Sequence, residues 1–275
     1  MKLVRYSTPG SSAAVGIMTP AGVLPTTATD MLDVIRSGIL PAVSGLAVTG
    51  HSLLAPVPRP GKIFGSGINY ASHRDENPGA VLPDEPGFFA KLSSSVCGPG
   101  DPILLPAPDS TVDYEVELAV VIGAPGSDLT PDSALGHVFG YTVVNDVSDR
   151  GVQFRPNQLV LGKGFDSFCP MGPALVTADE LPVLSELYVR SYVNGELRQD
   201  ARVRDMLFAI PRLIAHASQN ITLEPGDIIT TGTPAGCGTF RDPPLWLRPG
   251  DTVTVAVEGV GELTNPVTAG WQAGV

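Results

Sequence analysis

Acidic residues alternate along one predicted strand of the sequence. Asp113, Glu115 and Glu117 lie within residues 111–123, TVDYEVELAVVIG, and side chains two positions apart on a strand point to the same face. Carboxylates spaced roughly 7 Å apart at the backbone repel one another unless a cation lies between them. The pattern therefore indicates a divalent metal site. The other interpretation is a solvated strand face, since alternating polar residues are usual on half-exposed strands.

A further carboxylate, Asp146, follows the predicted strand 139–144 and so falls at a strand end. Glu115, Glu117 and Asp146 together form an all-oxygen ligand set. Hard oxygen ligands suit Mg²⁺ or Mn²⁺, with Ca²⁺ as a further candidate, better than Zn²⁺, which prefers His and Cys.

A histidine and a glutamate lie close together in a glycine-bounded loop, residues 65–76, GSGINYASHRDE. His73 and Glu76 meet if this segment is helical, because residues three positions apart share a helix face. A histidine oriented by a carboxylate can act as a general base, although a pair of this kind on a surface is commonly a solvated ion pair. The stretch lacks the third glycine of a dinucleotide-binding loop.

Several polar residues could bind an anionic substrate. Arg150 and Gln153 follow Asp146 closely, and Lys163 lies in LGKGFD; such side chains supply positive charge and hydrogen-bond donors. The turn 231–236, TGTPAG, contains Thr233 and could present backbone N–H groups to an oxyanion. A plain loop is the alternative for this turn.

Composition limits the classes of partner. The chain has 275 residues, 43% of them hydrophobic and 16% charged, with a net charge of −11, so we expect an ordered globular protein that binds neither nucleic acid nor an anionic membrane. No stretch offers the roughly 18 apolar residues that span a bilayer, and the N-terminus lacks a signal-peptide core, which predicts a cytoplasmic protein. Three widely spaced cysteines without a CxxC pair, Cys97, Cys169 and Cys237, indicate free thiols rather than disulfides or a thiolate zinc site.

The elements that must position these residues are mainly strands. Gly and Pro are frequent but dispersed between short β-branched runs, a pattern typical of a turn-rich β protein with few helices. Helices are predicted at 28–37 and 204–219, the second with a kink at Pro211. Asn194-Gly195 predicts a two-residue hairpin, and Pro-Gly-Asp turns begin at Pro99, Pro225 and Pro249. Strands are predicted at 2–7, 14–19, 62–67, 88–92, 114–123, 139–144, 187–193 and 252–257.

A proline-rich string at residues 56–60, PVPRP, reads as an extended linker, because proline holds the backbone near the polyproline conformation. We therefore place a boundary near residue 58, between a small N-terminal domain, 1–58, and a main domain, 59–275.

Many segments, in order and in register, closely resemble the fumarylacetoacetate hydrolase family, in particular its short acylpyruvase and hydroxyhepta-dienedioate isomerase members. The resemblance covers about residues 59–275 and implies a mixed β-sandwich roll with a small N-terminal α+β domain, commonly homodimeric. The segments that carry it are NYASHRDE, FFAKLSSSVCGPGDPI, DYEVELAVVIG, GYTVVNDVSDRGVQ, GKGFDSFCPMGP, VNGE, LEPGDIITTGTPAG and TVTVAVEGVGEL.

The resemblance also implies roles for the candidate residues. It implies one Mg²⁺ or Mn²⁺ held by Glu115, Glu117 and Asp146, and a lid dyad in which Glu76 orients His73 as general base. Arg150, Gln153 and Lys163 match positions that contact the substrate's oxygens, and Thr233 matches the family's Gly-Thr turn.

The reaction that the resemblance implies is hydrolysis of a carbon–carbon bond in a small acylpyruvate or 1,3-diketo acid through a metal-bound enolate, with Lys163 and Arg150 sharing its charge. The same site would serve two alternatives: isomerisation or tautomerisation of a 2-hydroxydienoate, and decarboxylation of oxaloacetate. A non-catalytic protein that binds a keto acid is a third alternative.

Two segments depart from the family pattern. The usual Ser-Ala-Arg-Asp stretch reads Ser148-Asp149-Arg150-Gly151 here, so the acid precedes the arginine instead of following it; this departure concerns the support of Arg150. The lid segment 77–87, NPGAVLPDEPG, is long and rich in proline and acid, and we expect it to reshape the pocket mouth and the choice of substrate.

Overall fold

The computed structural model describes residues 1–77 and 79–270. Strands far outnumber helices among them, which confirms the predicted class of a mostly β protein with few helices. The helices are α1 Met31–Ser37, α2 Ala71–Glu76, α3 Pro131–Ala134, α4 Arg150–Gln153, α5 Leu159–Gly164 and α6 Ile210–Ala217. The strands are β1 Lys2–Ser7, β2 Ala14–Thr19, β3 Gly22–Pro25, β4 Ser52–Leu54, β5 Ile63–Ser66, β6 Phe88–Ala90, β7 Val96–Cys97, β8 Ile103–Leu105, β9 Val112–Asp113, β10 Val116–Ile122, β11 Val138–Asn145, β12 Ser148–Asp149, β13 Cys169–Thr177, β14 Tyr188–Val193, β15 Glu196–Arg202, β16 Ile228–Thr230, β17 Thr252–Val257 and β18 Gly261–Ala269.

Two large mixed sheets form the body of the protein. The larger runs β3-β2-β1-β13-β11-β10-β16-β5-β6, with β4 paired to β1 and β7 to β13, and the smaller runs β15-β14-β17-β18-β8. Most pairs are antiparallel, but β16 with β5 and β18 with β8 are parallel. β9 and β12 form a separate two-stranded ladder beside the site.

The central strand β10 is buried on both faces. Val116, Leu118 and Val120 pack in the core that includes the inner residues of the smaller sheet, whereas Ala119 and Val121 pack in a second core with residues of α1. Every residue of β10 is buried, so the interpretation of this segment as a solvated strand face is wrong. Asp113, Glu115 and Glu117 are also buried, so their charges must be neutralised within the protein.

The helix predictions hold only in part. α1 lies within the predicted range 28–37 and begins after Asp30, whose carboxylate accepts hydrogen bonds from the backbone N–H of Leu32 and Asp33. The predicted helix 204–219 is confirmed only over residues 210–217, and the predicted kink at Pro211 is wrong, because α6 begins at Ile210 and places the proline in its first turn. A proline is tolerated there, since its missing N–H would have no helical partner.

Turn chemistry is as predicted. Asn194 and Gly195 have φ of 53° and 79° and join β14 to β15 as a hairpin. The three Pro-Gly-Asp turns have glycines with positive φ, and each precedes a strand: β8, β16 and β17 in turn.

The N-terminal residues extend the larger sheet, because β1 pairs antiparallel with β13. The boundary near residue 58 stays a prediction. No helix among the described residues has both the length and the apolar character needed to cross a membrane.

Candidate active site

Antiparallel pairing brings three carboxylates together. Val116 of β10 lies opposite Asn145 of β11, the backbone N–H of Asp146 donates to Glu115 O at 2.9 Å, and that of Glu115 donates to Asn145 Oδ1 at 3.0 Å. All three carboxylates, Glu115, Glu117 and Asp146, are buried, and ligand oxygens from each lie within 4.8 Å of one another. We call this group the carboxylate site.

Two buried lysines neutralise part of this charge. Lys163 Nζ of α5 donates to Glu115 Oε2 at 2.8 Å, to Asp146 Oδ2 at 2.6 Å and to Ser148 Oγ at 2.9 Å. Lys91 Nζ contacts the other oxygen of Asp146 at 2.5 Å and also donates to the carbonyl of Lys163. Although burial opposes its charge, Asp146 and Glu115 raise the pKa of Lys163, so this ammonium is held in its charged form.

Glu117 has no cationic partner of this kind among the described residues. Its Oε2 accepts from the backbone N–H of Gly232 at 2.6 Å, while its Oε1 is buried without a hydrogen-bond partner. Burial, followed by repulsion from Asp146 and Glu115, raises the pKa of Glu117 well above its ordinary value. A buried carboxylate oxygen without a donor is a position that a bound cation would satisfy.

The donor set fits a divalent cation. Three carboxylates converge, all their ligand atoms are oxygens, and the unpartnered Oε1 of Glu117 belongs to the same group. Such a set is typical of Mg²⁺ and Mn²⁺ sites. Glu115, Glu117 and Asp146 would hold the ion.

Arg150 is held by an acid that is distant in sequence. Its Nε and Nη2 both donate to Asp113 Oδ2, at 3.1 and 2.9 Å, and Nη2 also contacts Glu115 Oε1 at 2.6 Å. Nη1 donates to Gln153 Oε1 at 2.9 Å. Asp149 instead begins α4, accepting from the backbone N–H of Val152. The support of Arg150 therefore comes from Asp113, and the altered Ser148-Asp149-Arg150-Gly151 stretch leaves it intact.

The His–Glu pair of α2 faces the same cavity. His73 Nδ1 lies 2.7 Å from Glu76 Oε1, and Glu76 Oε2 accepts from the backbone N–H of Gly236 at 2.7 Å. Cys237 Sγ lies 3.8 Å from the same Nδ1, and the His73 ring meets Phe240 edge to face. Glu76 Oε1 can accept a hydrogen bond from the ring only if Nδ1 carries the proton, which leaves Nε2 as the basic nitrogen.

Gln199 of β15 fixes how Thr233 uses its hydroxyl. The backbone N–H of Val116 donates to Gln199 Oε1 at 3.1 Å, so the amide nitrogen must point the other way, and it donates to Thr233 Oγ1 at 2.8 Å. Since Oγ1 already accepts this hydrogen bond, its own proton is directed elsewhere. Thr233 lines the cavity, and its hydroxyl can therefore donate to a ligand there.

These groups surround one cavity of about 200 Å³. Polar residues line one part of it, and aromatic and aliphatic side chains the remainder. Its lining includes His73, Asn77, Phe89, Glu115, Glu117, Arg150, Gln153, Phe154, Leu159, Lys163, Thr233 and Phe240. Seven of the nine residues singled out from the sequence line the cavity. The other two, Glu76 and Asp146, contact the lining side chains of His73 and Lys163.

Three contributors were missed in the sequence. Lys91 stands in the family-like segment FFAKLSSS, but a lone lysine carries no signal of its own. Gln199 follows the hairpin turn by four residues, so only the pairing of β14 with β15 and the approach of the 231–236 turn reveal its contacts. Cys237 was interpreted as one of three free thiols, and in the structure it is free but lies beside the His73–Glu76 pair.

The family model "Fumarylacetoacetate (FAA) hydrolase C-terminal" matches residues 62–268. Together with the fold and the carboxylate site, this match places the chain in the fumarylacetoacetate hydrolase family, which confirms the resemblance drawn from the motifs.

Relatives within the family have different names. The chain is 44% identical over 253 residues to mitochondrial oxaloacetate tautomerase fahd2 of Xenopus laevis, covering 89% of this chain and 79% of that protein. Among solved structures, a fumarylacetoacetate hydrolase from Exiguobacterium antarcticum is 38% identical with a TM-score of 0.88, covering 98% and 99% of the two chains. A 2-hydroxyhepta-2,4-diene-1,7-dioate isomerase from Mycobacterium marinum is 34% identical with a TM-score of 0.83, covering 99% and 100%.

A further structure is that of maleylpyruvate hydrolase from Sphingobium sp. SYK-6 with manganese(II) and pyruvate, 31% identical with a TM-score of 0.80, covering 98% and 100%. The relatives thus include a tautomerase, an isomerase and hydrolases that share one fold. This chain is an enzyme of that family, with a carboxylate site suited to a divalent metal.

Proposed function

We propose that the protein is a divalent-metal-dependent tautomerase of oxaloacetate or a closely related short 2-oxo dicarboxylate, with Mg²⁺ or Mn²⁺ at the carboxylate site. The observation that carries the proposal is that two groups face one small cavity: the His73–Glu76 pair, which can act as a base, and the carboxylate site. Tautomerisation needs these two functions together: a base that moves a proton between carbon and oxygen, and a cation that stabilises the enolate. The name of the Xenopus laevis relative supports the choice of substrate.

The size of the cavity favours a short substrate. About 200 Å³ is smaller than the roughly 300–1,000 Å³ of pockets that take drug-sized ligands. This volume suits a four- or five-carbon acid, and a larger substrate would need a larger cavity.

The charges of the site favour an anion once the ion is bound. Lys91, Lys163 and Arg150 face four buried carboxylates, those of Asp113 and of the carboxylate site. Three cations against four ionised carboxylates leave one negative charge, and a divalent ion converts this to one positive charge. An anionic oxo acid then has a local attraction that the chain's net charge of −11 does not provide.

Each residue has a defined task in this scheme. His73 Nε2 removes a proton from the methylene carbon next to the substrate's carbonyl and returns it to the resulting enolate oxygen, while Glu76 keeps Nδ1 protonated and oriented. Thr233 donates its hydroxyl proton to a substrate oxygen. A divalent ion, when bound, stabilises the negative charge that develops on the carbonyl oxygen.

Arg150, Gln153 and Lys163 form the anion-binding side. Gln153 Oε1 is engaged by Arg150, so its amide N–H groups remain available to a carboxylate. Lys163 lies over the Phe89 ring at 4.7 Å, which holds the ammonium at the cavity wall.

The test is turnover of oxaloacetate by metal-stripped protein with and without Mg²⁺ or Mn²⁺, following the enol absorption and the appearance of deuterium at the methylene carbon in D₂O. We expect metal-dependent exchange, and a loss of about 10²- to 10⁴-fold in kcat for His73→Gln. His51→Gln, at a histidine that contacts Tyr6 of the N-terminal strands, serves as the matched control. Deuterium exchange at the same rate with and without the metal, or full activity in His73→Gln, would contradict the proposal.

Hydrolysis of an acylpyruvate is the second candidate, because the His73–Glu76 pair could equally activate a water molecule, and a structural neighbour is a maleylpyruvate hydrolase. Products followed by NMR separate the candidates. Acid plus pyruvate from an acylpyruvate indicates a hydrolase, pyruvate and CO₂ from oxaloacetate a decarboxylase, and binding without turnover a keto-acid-binding protein.

A further inference from the structure

Cys237 joins the His73–Glu76 pair in a cluster of three different metal-binding side chains. One ligand atom from each residue lies within 4.8 Å of the other two; His73 Nδ1 is 2.7 Å from Glu76 Oε1 and 3.8 Å from Cys237 Sγ. The tautomerase scheme uses the first two residues and leaves the thiol without a task. We call these three residues the mixed-ligand cluster.

We propose that the mixed-ligand cluster is a second metal site, selective for Zn²⁺ and similar thiophilic ions, whose occupation switches the enzyme off. An imidazole nitrogen, a thiolate and a carboxylate form a typical zinc ligand set, whereas Mg²⁺ prefers oxygen alone. The two groups of ligands in this chain therefore select different ions.

The distances suit a tetrahedral ion after small movements. Zinc bonds of about 2.0 Å to nitrogen or oxygen and about 2.3 Å to sulfur place tetrahedral ligands roughly 3.3 Å apart for N and O and roughly 3.5 Å apart for N and S. The observed 2.7 and 3.8 Å differ from these ideal separations by about 0.6 and 0.3 Å. Gly236 N–H holds the second oxygen of Glu76, and Gln199 Nε2 lies 3.7 Å from the sulfur, so two of the three ligands have supporting contacts of the kind that orient metal sites.

Binding there would disable the base. The Cys237 thiol gives its proton to solvent as the metal–sulfur bond forms, and Nδ1 gives up its proton and its hydrogen bond to Glu76 for a bond to the ion. Through solvent, the ring takes up a proton at Nε2 and stays a neutral imidazole, so Nε2 has no free lone pair with which to accept a proton from the substrate. This inhibitory consequence rests on the proposed role of His73, whereas binding of the ion does not.

Cobalt(II) is the probe that reports the thiolate directly. The protein is first loaded with Mg²⁺ and then titrated with Co²⁺, because a cobalt–thiolate bond absorbs in the near ultraviolet and the all-oxygen carboxylate site cannot produce this band. We expect one equivalent to give the band in the wild-type protein, and Zn²⁺ to abolish it. Cys237→Ser should remove the band, with Cys237→Ala as a second variant if the serine does not fold.

Cys97→Ser is the matched control, since Cys97 Sγ contacts Ser167 O, outside the cluster. It should keep the band. A band that survives in Cys237→Ser and Cys237→Ala, that disappears in Cys97→Ser, or that never forms in the wild-type protein would overturn the site.

Inhibition is measured separately, with each variant compared with its own rate at saturating Mg²⁺. We expect Zn²⁺ to inhibit the wild-type enzyme, and Cys237→Ser to need a Zn²⁺ concentration higher by about tenfold or more, because removal even of indirect metal partners costs about 10- to 100-fold in affinity. If the Co²⁺ band behaves as expected and Zn²⁺ does not inhibit, the metal site stands and the role of His73 as base is wrong. Equal inhibition of both proteins would assign the effect to displacement of Mg²⁺ and overturn the switch.

Discussion

At the scale of single residues, the site is defined by which buried charges lack a partner. Glu115 and Asp146 contact lysine or arginine through both oxygens, whereas Glu117 Oε1 contacts none of the described polar groups. A metal ion therefore completes the site by satisfying the carboxylate that the protein's own cations leave over. Glu115 differs from Glu117 in this respect because, despite burial, Lys163 and Arg150 lower the pKa of Glu115.

Thr233 offers the most direct test of the hydrogen-bond logic around the cavity. If Gln199 forces its hydroxyl to donate to substrate, Thr233→Val should raise KM for oxaloacetate by about tenfold to a hundredfold, the value of a hydrogen bond to a charged group. The effect on kcat should be smaller. Steady-state kinetics with Thr233→Ser as control, which keeps the hydroxyl, measure this.

The effects of Gln199→Leu and Thr233→Val on KM should not be additive. Gln199→Leu frees the hydroxyl to turn away, so it should raise KM in the same direction, and the double variant Gln199→Leu/Thr233→Val should be little worse than Thr233→Val. Urea unfolding checks that the leucine variant stays folded. Independent, multiplicative effects on KM would mean that Gln199 does not direct Thr233.

Alkaline pH should weaken the fold through buried acids. Burial raises the pKa of Tyr141 and of Cys169 to about 12. The unfolded chain loses these protons first, so their contribution to stability is complete below the unfolded pKa values and is lost as pH rises toward 12. The free energy of unfolding from urea titrations should fall by about 1.4 kcal/mol per pH unit for each such group. Tyr141→Phe should make the fall above pH 10 shallower; an unchanged slope would contradict the assignment.

The sequence predicted the candidate metal ligands, but it did not predict the residues that surround them. Glu115, Glu117 and Asp146 carry a recognisable chemical pattern, and β10 and β11 bring them together. Lys91 and Cys237 carry no pattern, because their importance arises from contacts with residues 55 and 164 positions away. Such distant contacts are decided by the packing of the whole sheet, which local sequence does not describe.

At the scale of elements, short helices carry the side chains to which we assign substrate binding. α4 spans only Arg150–Gln153, yet it bears two of them. An element of four residues has little stability of its own, so its position depends on its cap and on the β9–β12 ladder beside it.

We expect Asp149→Ala to lower the free energy of unfolding by about 1 kcal/mol, the usual cost of losing an N-terminal helix cap. It should also raise KM several-fold, since Arg150 and Gln153 lose their fixed starting point. Asp149 Oδ1 accepts from Val152 N–H and from Thr111 Oγ1, and Asp149→Asn keeps this oxygen. Urea unfolding and KM for the two variants provide the measurement. If Asp149→Asn lowered the free energy of unfolding and raised KM as much as Asp149→Ala, the charge of Asp149 and not its capping hydrogen bond would be responsible.

Sequence periodicity predicted strands well and helices less well. Strand predictions such as 2–7, 14–19 and 252–257 agree with β1, β2 and β17. The apolar stripe of 204–219 overestimated α6, because it includes Met206 and Leu207, which lie between the 3₁₀ turn of residues 203–205 and the start of the helix, and because Pro211 fits only a first turn. The residue pattern alone left a solvated face open for residues 111–123, because Glu115 and Glu117 resemble solvent-facing residues until the ion and the lysines are considered; in the structure both are buried.

At the scale of the whole molecule, strands that are far apart in the sequence meet in one sheet. β1 pairs with β13 and β16 with β5, so the order of strands in space differs widely from their order in sequence. The overall fold could be predicted from the sequence only through the family resemblance, because no local pattern specifies such long-range pairing.

An exposed apolar patch lies beside the cavity mouth and supports the predicted homodimer. It comprises Leu92, Phe154, Leu159, Val160 and Leu161, which are 40%, 60%, 37%, 40% and 50% exposed. Gly164 of α5 approaches the Leu92 side chain, so Leu92 lies beside α5. Contiguous exposed apolar groups of this kind commonly mark protein–protein contacts.

We predict that two copies pack against each other through this patch. The wild-type protein should have the mass of a dimer in multi-angle light scattering, and Leu161→Glu, which places a charge in the contact without touching the cavity lining, should shift it toward the monomer. Leu46→Glu is the matched control, because Leu46 is 90% exposed in the N-terminal segment. A monomeric wild-type protein would refute the homodimer, and a dimer unaffected by Leu161→Glu would place the contact on another face. If the monomer forms and KM for oxaloacetate also rises, dimerisation orders the cavity mouth, since Phe154 and Leu159 belong to both the patch and the lining.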